Sequence, residues 1–192
     1  MPANVTALIL KARPGQELVC RAEMYGFQVN AKKKTRGVIS HYVSLALAKA
    51  FQTMLGLKLE VANCGDDCAA ASNDVVGTIG FAGKARGSVC LGLDIPSATI
   101  IATRILNLDG KTPPAPDEIN DAVGELLNIM TGNFKSNLCD AGLDCKLETP
   151  KVSRASLAGP AARGKTLTEH MAFRTHQLQV FVDVTVDPWN QE

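Results

Sequence analysis

The sequence predicts an α+β fold in which amphipathic helices lie on an antiparallel sheet, one of them long and carrying an unusual polar stripe. Three features predict it. Two β-rich runs, "VVGTIGFAG" and "GSVCLGLDI", are joined through "GKAR", the pattern of a hairpin. Residues 38–55 and the stretch around 121–134 repeat apolar side chains at helical spacing. The closing stretch "QLQVFVDVTV" alternates at period two, as a strand does.

Composition agrees with this. At 192 residues, 46% hydrophobic and 20% charged, the chain can bury one real core and reads as an ordinary soluble globular protein. A formal net charge of +1 leaves no general basic face for nucleic acid. The basic cluster "KKKTR" at 32–36 is expected to be a solvated connector. No membrane partner is expected, since no apolar run approaches the ~20 residues of a spanning helix. The opening "MPANVTALILKARPG" lacks the charged start and apolar core of an export signal. A cytoplasmic location is therefore expected. Six cysteines (Cys20, Cys64, Cys68, Cys90, Cys139 and Cys145) scattered over a chain with a normal core point to reduced thiols. Cys64 and Cys68 have a tolerable metal-ligand spacing, but no second Cys/His pair follows at a zinc-finger distance. His170 and His176 lie far downstream, so no metal is assigned.

The elements follow in order. Before residue 37, "VTALIL" and "ELVCRAEMYGFQV", separated by "RPG", read as a strand pair. These residues, 1–36, form an N-terminal extension of unassigned role, and 37–192 the main domain. Over 38–55, Ile39, Tyr42, Val43, Ala46, Ala50 and Met54 share one helical face and Gly56 supplies the stop, with His41 just off that face. After a Cys/Asp/Asn-rich loop comes the hairpin, then a short helix from Pro96 or Ser97, "SATIIATRILNL". "DGKTPPAP" is a loop, and the long helix follows it. "LDCKLET" reads as a strand ending at Pro150, "SRASLAGPAARGK" as a connection, and "HMAFRT" and "QLQVFVDVTV" as closing strands.

The long helix carries the functional signal. At about 100° per residue, Asp121, Glu125, Asn128, Gly132 and Lys135 keep to one narrow stripe. Ile119, Val123, Leu126, Leu127, Met130, Phe134 and Ala141 fall opposite, so the helix is amphipathic. A solvated face would favour Lys, Glu, Gln and Ala; this one has Asn128, Thr131, Gly132 and Asn133. Gly132 costs about 1 kcal/mol relative to alanine in mid-helix. It also removes the side chain one turn from Asn128, where another backbone could approach.

An Asp or Ser, three residues, Glu, two residues and Asn, within "GELLNIMTGNF", resembles the CheC/CheX/FliY chemotaxis phosphatases, and CheX most closely. The resemblance spans about 37 to 190. It takes in the first amphipathic helix, the glycine-bearing hairpin, the short helix, the motif helix, and "ETPKV" after the next strand, with Pro150 near the family's proline. Alone, Glu-x-x-Asn is a weak signal; Asp121, Gly124, Gly132, the hairpin and Pro150 strengthen it. Two departures stand out. "SHYVSLALAKAFQTML" has no second Glu/Asn pair, which implies one site per chain, and the first 36 residues have no counterpart.

The resemblance implies hydrolysis of the aspartyl phosphate on a CheY-type response regulator. It implies that Asn128 positions the attacking water and that Glu125 pairs with the regulator's lysine. Asp121 and Gly132 would be accessory contacts. The Mg2+ would belong to the regulator, leaving this chain without a cofactor of its own. The alternative is a non-catalytic module that binds a response regulator or a flagellar-switch component. A third possibility is the same fold with a structural stripe. A homodimer is expected, both from the resemblance and because "QLQVFVDVTV" on an exposed edge would invite aggregation.

Overall fold

The computed structural model describes residues 31–62, 74–154 and 167–187, with side chains from residue 37 onward. The chain divides into two units, Met1–Lys34 and Thr35–Glu192, and the fold below is that of the second. The strand pair expected before residue 37 lies outside the described residues, as does most of the connection after residue 154.

Helix α1, Ala31–Leu55, starts earlier than its periodicity predicts, so residues 32–36 are helical backbone and not a connector. Lysine and arginine are good helix formers, and nothing in the run stops a helix. The helix buries Ile39, Val43, Ala46, Leu47, Ala50 and Phe51 and ends at Gly56, which takes a left-handed φ of 64°. Helix α2, Ile95–Ile105, begins a residue or two ahead of expectation because Asp94 caps it, its side chain accepting from the Ser97 amide at 2.8 Å. Helix α3, Pro116–Asp140, has proline in its first turn, and the Glu118 side chain accepts from the Ala115 amide at 2.7 Å. It stops at Gly142, φ 81°, with the Gly142 amide bonded to the Cys139 carbonyl and the Leu143 amide to the Leu138 carbonyl. That pair of bonds is a Schellman closure, and it makes Ala141 the exposed cap instead of a member of the buried face.

The strands are β1 (Glu60–Ala62), β2 (Val75–Gly83), β3 (Gly87–Leu93), β4 (Cys145–Leu147), β5 (Lys151–Ser153), β6 (Leu167–Arg174) and β7 (Gln179–Val186). They form one antiparallel sheet in the order β1-β6-β7-β3-β2-β4, with β5 also pairing β2. The predicted hairpin is β2–β3, in the register Val75↔Leu93 to Phe81↔Gly87. Strand β7 lies between β6 and β3. It is therefore not an edge, and its apolar content is met inside the chain. Val180, Val182, Val184 and Val186 are buried on the helix side, so the aggregation argument for a dimer does not hold. Strand β5 was not expected; Pro150, with no amide hydrogen to donate, separates it from β4.

One core holds sheet and helices together. Helix α3 packs on α2, β2, β4 and β5. One close seat is Gly77, where a β-carbon would stand 3.1 Å from Leu127 Cδ2 and 3.6 Å from Val123 Cγ1. Phe81 of β2 meets Phe134 of α3 edge-on, with centroids 5.7 Å apart. Helix α1 is tied to α3 by the Asn137 side chain, whose Nδ2 donates to the Tyr42 carbonyl at 3.3 Å.

This seating separates two substitutions on α3. Leu127→Ala, at a fully buried position, should lower unfolding free energy by about 2–5 kcal/mol. Gly132→Ala should raise it by about 1 kcal/mol, since nothing lies within 4 Å of an added β-carbon there. Urea titrations measure both, and a Leu127→Ala variant as stable as the parent would contradict the contact with Gly77.

Candidate functional site

The burial of one face of α3 leaves the other as a rigid display. Ile119, Val123, Leu126, Leu127, Met130 and Phe134 are all buried, as their spacing predicts. Asp121, Glu125 and Asn128 are exposed on the opposite side, in the predicted line. Thr131 does not belong to that display. It is fully buried, its Oγ1 donating to the Leu127 carbonyl at 2.8 Å, a bond that lets a hydroxyl sit in the core.

Tertiary packing turns the stripe into a site. Asp121, Glu125 and Asn128 share an open concavity of about 390 Å³ with Asn120, Gly124, Pro150 and Val152. Pro150 and Val152 arrive from the sheet, because β5 pairs with β2 in the register Gly77↔Val152, directly beside the seat of α3. Gly124 fits this wall closely, with a β-carbon there reaching 3.5 Å from Val152 Cγ2. Gly132 is not among the residues lining the concavity, although it is part of the same helix face. No described neighbour requires glycine at that position.

Asn120 carries no motif signal of its own, and Val152 enters the sequence reading only as the last residue of "ETPKV". The proline was the available clue, since it marks where the chain turns back beside the helix. Another concavity, about 450 Å³, is lined by Lys58, Glu60, Arg174, Thr175 and His176 at the β1–β6 edge. It contains no member of the motif and lies toward the opposite edge of the strand order.

The chemistry of the motif is that of unengaged polar groups on a stiff support. Among the described residues, neither the Glu125 carboxylate nor the Asn128 carboxamide has a hydrogen bond or ion pair. Asn137, on the same helix, is committed instead to tying down α1. A carboxamide presents both a donor and an acceptor, and a carboxylate one turn away presents charge. Together they can hold a water or a polar partner group in a defined direction.

Other candidates from the sequence fall elsewhere. Cys64 and Cys68 lie outside the described residues. His170 is bonded through Nδ1 to Asp183 Oδ1 at 2.7 Å on the sheet, and His41 sits half-buried beside Tyr42. Cys90, Cys139 and Cys145 are free thiols; burial pushes the Cys90 and Cys145 thiols up, which disfavours the reactive thiolate. Among the described residues, no helix is long and apolar enough to cross a membrane.

Comparison with known proteins agrees with this geometry. Residues 75–166, from β2 to the start of β6, match the family model for the chemotaxis phosphatase CheX. No curated protein matches the chain in sequence. Among solved structures, the chemotaxis protein CheX from Vibrio vulnificus is 26% identical, with a TM-score of 0.66 over 83% of this chain and 100% of that one. A CheC-like superfamily protein from Shewanella sp. PV-4 is 23% identical, with a TM-score of 0.67 over 79% and 98%. A chain of the CheX–CheY–BeF3–Mg2+ complex from Borrelia burgdorferi is 18% identical, with a TM-score of 0.64 over 78% and 98%. The last two, at such identities, speak to the fold. The matched family model spans the motif helix and its neighbouring strands, so residues 75–166 are similar to the chemotaxis phosphatase CheX, within a fold that the chain shares with CheX and CheC-like proteins.

Proposed function

We propose that this chain hydrolyses the aspartyl phosphate of a CheY-type response regulator in the cytoplasm, using Asn128 and Glu125. The observation that carries the reading is the pair itself: exposed, one turn apart, unengaged among the described residues, and set in a concavity walled by Pro150. The Borrelia burgdorferi neighbour, whose fold this chain shares, is a complex with CheY.

The residue types suit the reaction. An acyl phosphate is already reactive, so most of the catalytic task is to hold a water in line with phosphorus. A neutral carboxamide does this well, because its oxygen accepts from the water and its nitrogen donates to neighbouring groups. A carboxylate at Asn128 would repel the phosphoryl oxygens. Glu125 is assigned to a lysine at the regulator's phosphorylation site, which would anchor α3 and set the register of Asn128. Asp121, one turn before Glu125, and the side-chain-free surface at Gly132 are assigned to the rim of the same contact. Magnesium, in this reading, is held by the regulator and not by this chain.

The two roles separate by substitution. Asn128→Ala should keep the fold, alanine being a better helix former at an exposed site. It should slow regulator dephosphorylation on the order of 100-fold, with little loss of binding to a regulator carrying a phosphoryl mimic. Glu125→Lys should instead abolish binding, because like charges in a close contact cost several kcal/mol. Acceleration by Asn128→Ala equal to the parent's would refute the proposed chemistry. A parent that binds the regulator without accelerating loss of phosphate would establish the non-catalytic alternative.

The homodimer belongs to the same reading and rests on the resemblance alone. Light scattering at micromolar concentration should give twice the chain mass. A monomer there would remove the dimer from the proposal.

A further inference from the structure

Arg154, the residue after β5, reaches across to the start of α3. Its Nε donates to Asn120 Oδ1 at 3.4 Å and its second guanidinium nitrogen to the Pro116 carbonyl at 3.1 Å. Both acceptors are neutral. Among the described residues Arg154 forms no ion pair, and it is exposed. The stretch that follows, 155–166, contains no Asp or Glu. The side chain is thus directed, with no ion pair among the described residues, at the rim of the concavity that Asn120 and Asp121 line.

Helix stability does not account for this placement. The start of α3 is the positive end of the helix dipole, where a cation is unfavourable. Asp117 and Glu118 already suit that end, and Glu118 is engaged with the Ala115 amide. A guanidinium held by neutral acceptors keeps most of its N–H donors free for an external carboxylate, which its planar fork fits.

Position along the helix decides what it can touch. Asn120 and Pro116 precede Asn128 by a rise of roughly 12 and 18 Å respectively. A guanidinium bonded to those two residues stands too far along the axis to share the group that Asn128 serves. We propose that Arg154 is a docking residue, which takes a carboxylate on the surface of the partner regulator, on the order of 12–18 Å from its phosphorylated aspartate. The inference rests on the function proposed above. Glu125 would then receive a cation and Arg154 an anion, and two contacts of opposite sign fix which way α3 lies across the partner.

The experiment is steady-state dephosphorylation of the cognate regulator at low and high salt, with affinity for the mimic-bearing regulator measured in parallel. Arg154→Glu should raise KM and Kd on the order of tenfold and flatten their salt dependence. The value of kcat should stay within about twofold, since the variant spares the group that aligns the water. Arg154→Lys, which keeps charge without the fork, should fall between. Lys151→Glu makes the same charge change on the opposite face of β5 and should move KM by less than about twofold. Arg154→Gln replaces Arg154→Glu if thermal melts show that the latter has lost stability. Replacing the matching carboxylate of the regulator with lysine should restore binding of Arg154→Glu. Unchanged KM, Kd and salt dependence overturn the inference while leaving the proposed function standing, and so does a loss confined to kcat. A parent that binds without hydrolysis overturns the catalytic reading alone, with Arg154 still judged on Kd. A parent that neither binds nor hydrolyses overturns both.

Discussion

Helix α3 sits directly on β2 at Gly77, and the site depends on that contact. Leu127 and Val123 occupy the space that a side chain on the strand would take, so the helix approaches closely and cannot roll without opening a void. Phe134 against Phe81 holds the same helix four residues further along β2. With one face locked into the core, the direction of every residue on the other face is set by the helical period. Glu125 and Asn128 are functional candidates because the buried half of their helix leaves them nowhere else to point.

The second constraint is the strand register beside that seat. Pairing of Gly77 with Val152 carries β5 alongside α3 and sets Pro150 against the motif. Proline breaks the ladder between β4 and β5, while the Glu148 amide still donates to the Gly80 carbonyl at 2.9 Å to keep the turn on the sheet. The result is an open, polar concavity, a shape suited to a protein surface more than to a small molecule, which needs to be enclosed. Preorganisation matters here, because a group that aligns water contributes only if it is held before the partner arrives.

Charge is distributed unevenly around this surface. Acidic residues occupy the first turns of α3, where they favour the helix dipole. Arg154 is the exception, placed among them by hydrogen bonds to neutral groups. The exposed ion pair Lys84–Asp144, by contrast, satisfies itself at the far end of the helix and lowers the Asp144 pKa through its hydrogen bond to Lys84. The Lys84–Asp144 pair thus lies beyond one end of α3, while Arg154 at the other end has no ion pair among the described residues.

The amino-acid sequence by itself determined the fold class, the hairpin, the amphipathic division of α3 and the stripe of Asp121, Glu125 and Asn128, since these follow from side-chain periods that do not depend on distant residues. It marked Pro150 but not why it matters. Strand β5, the inclusion of Asn120 and Val152 and the extension of Arg154 all depend on which segments pair across long separations, and no local period encodes that. The same reason misplaced β7, whose alternating valines describe a strand equally well at an edge or in the middle of a sheet. Only the sheet order, with β6 on one side and β3 on the other, decided between them.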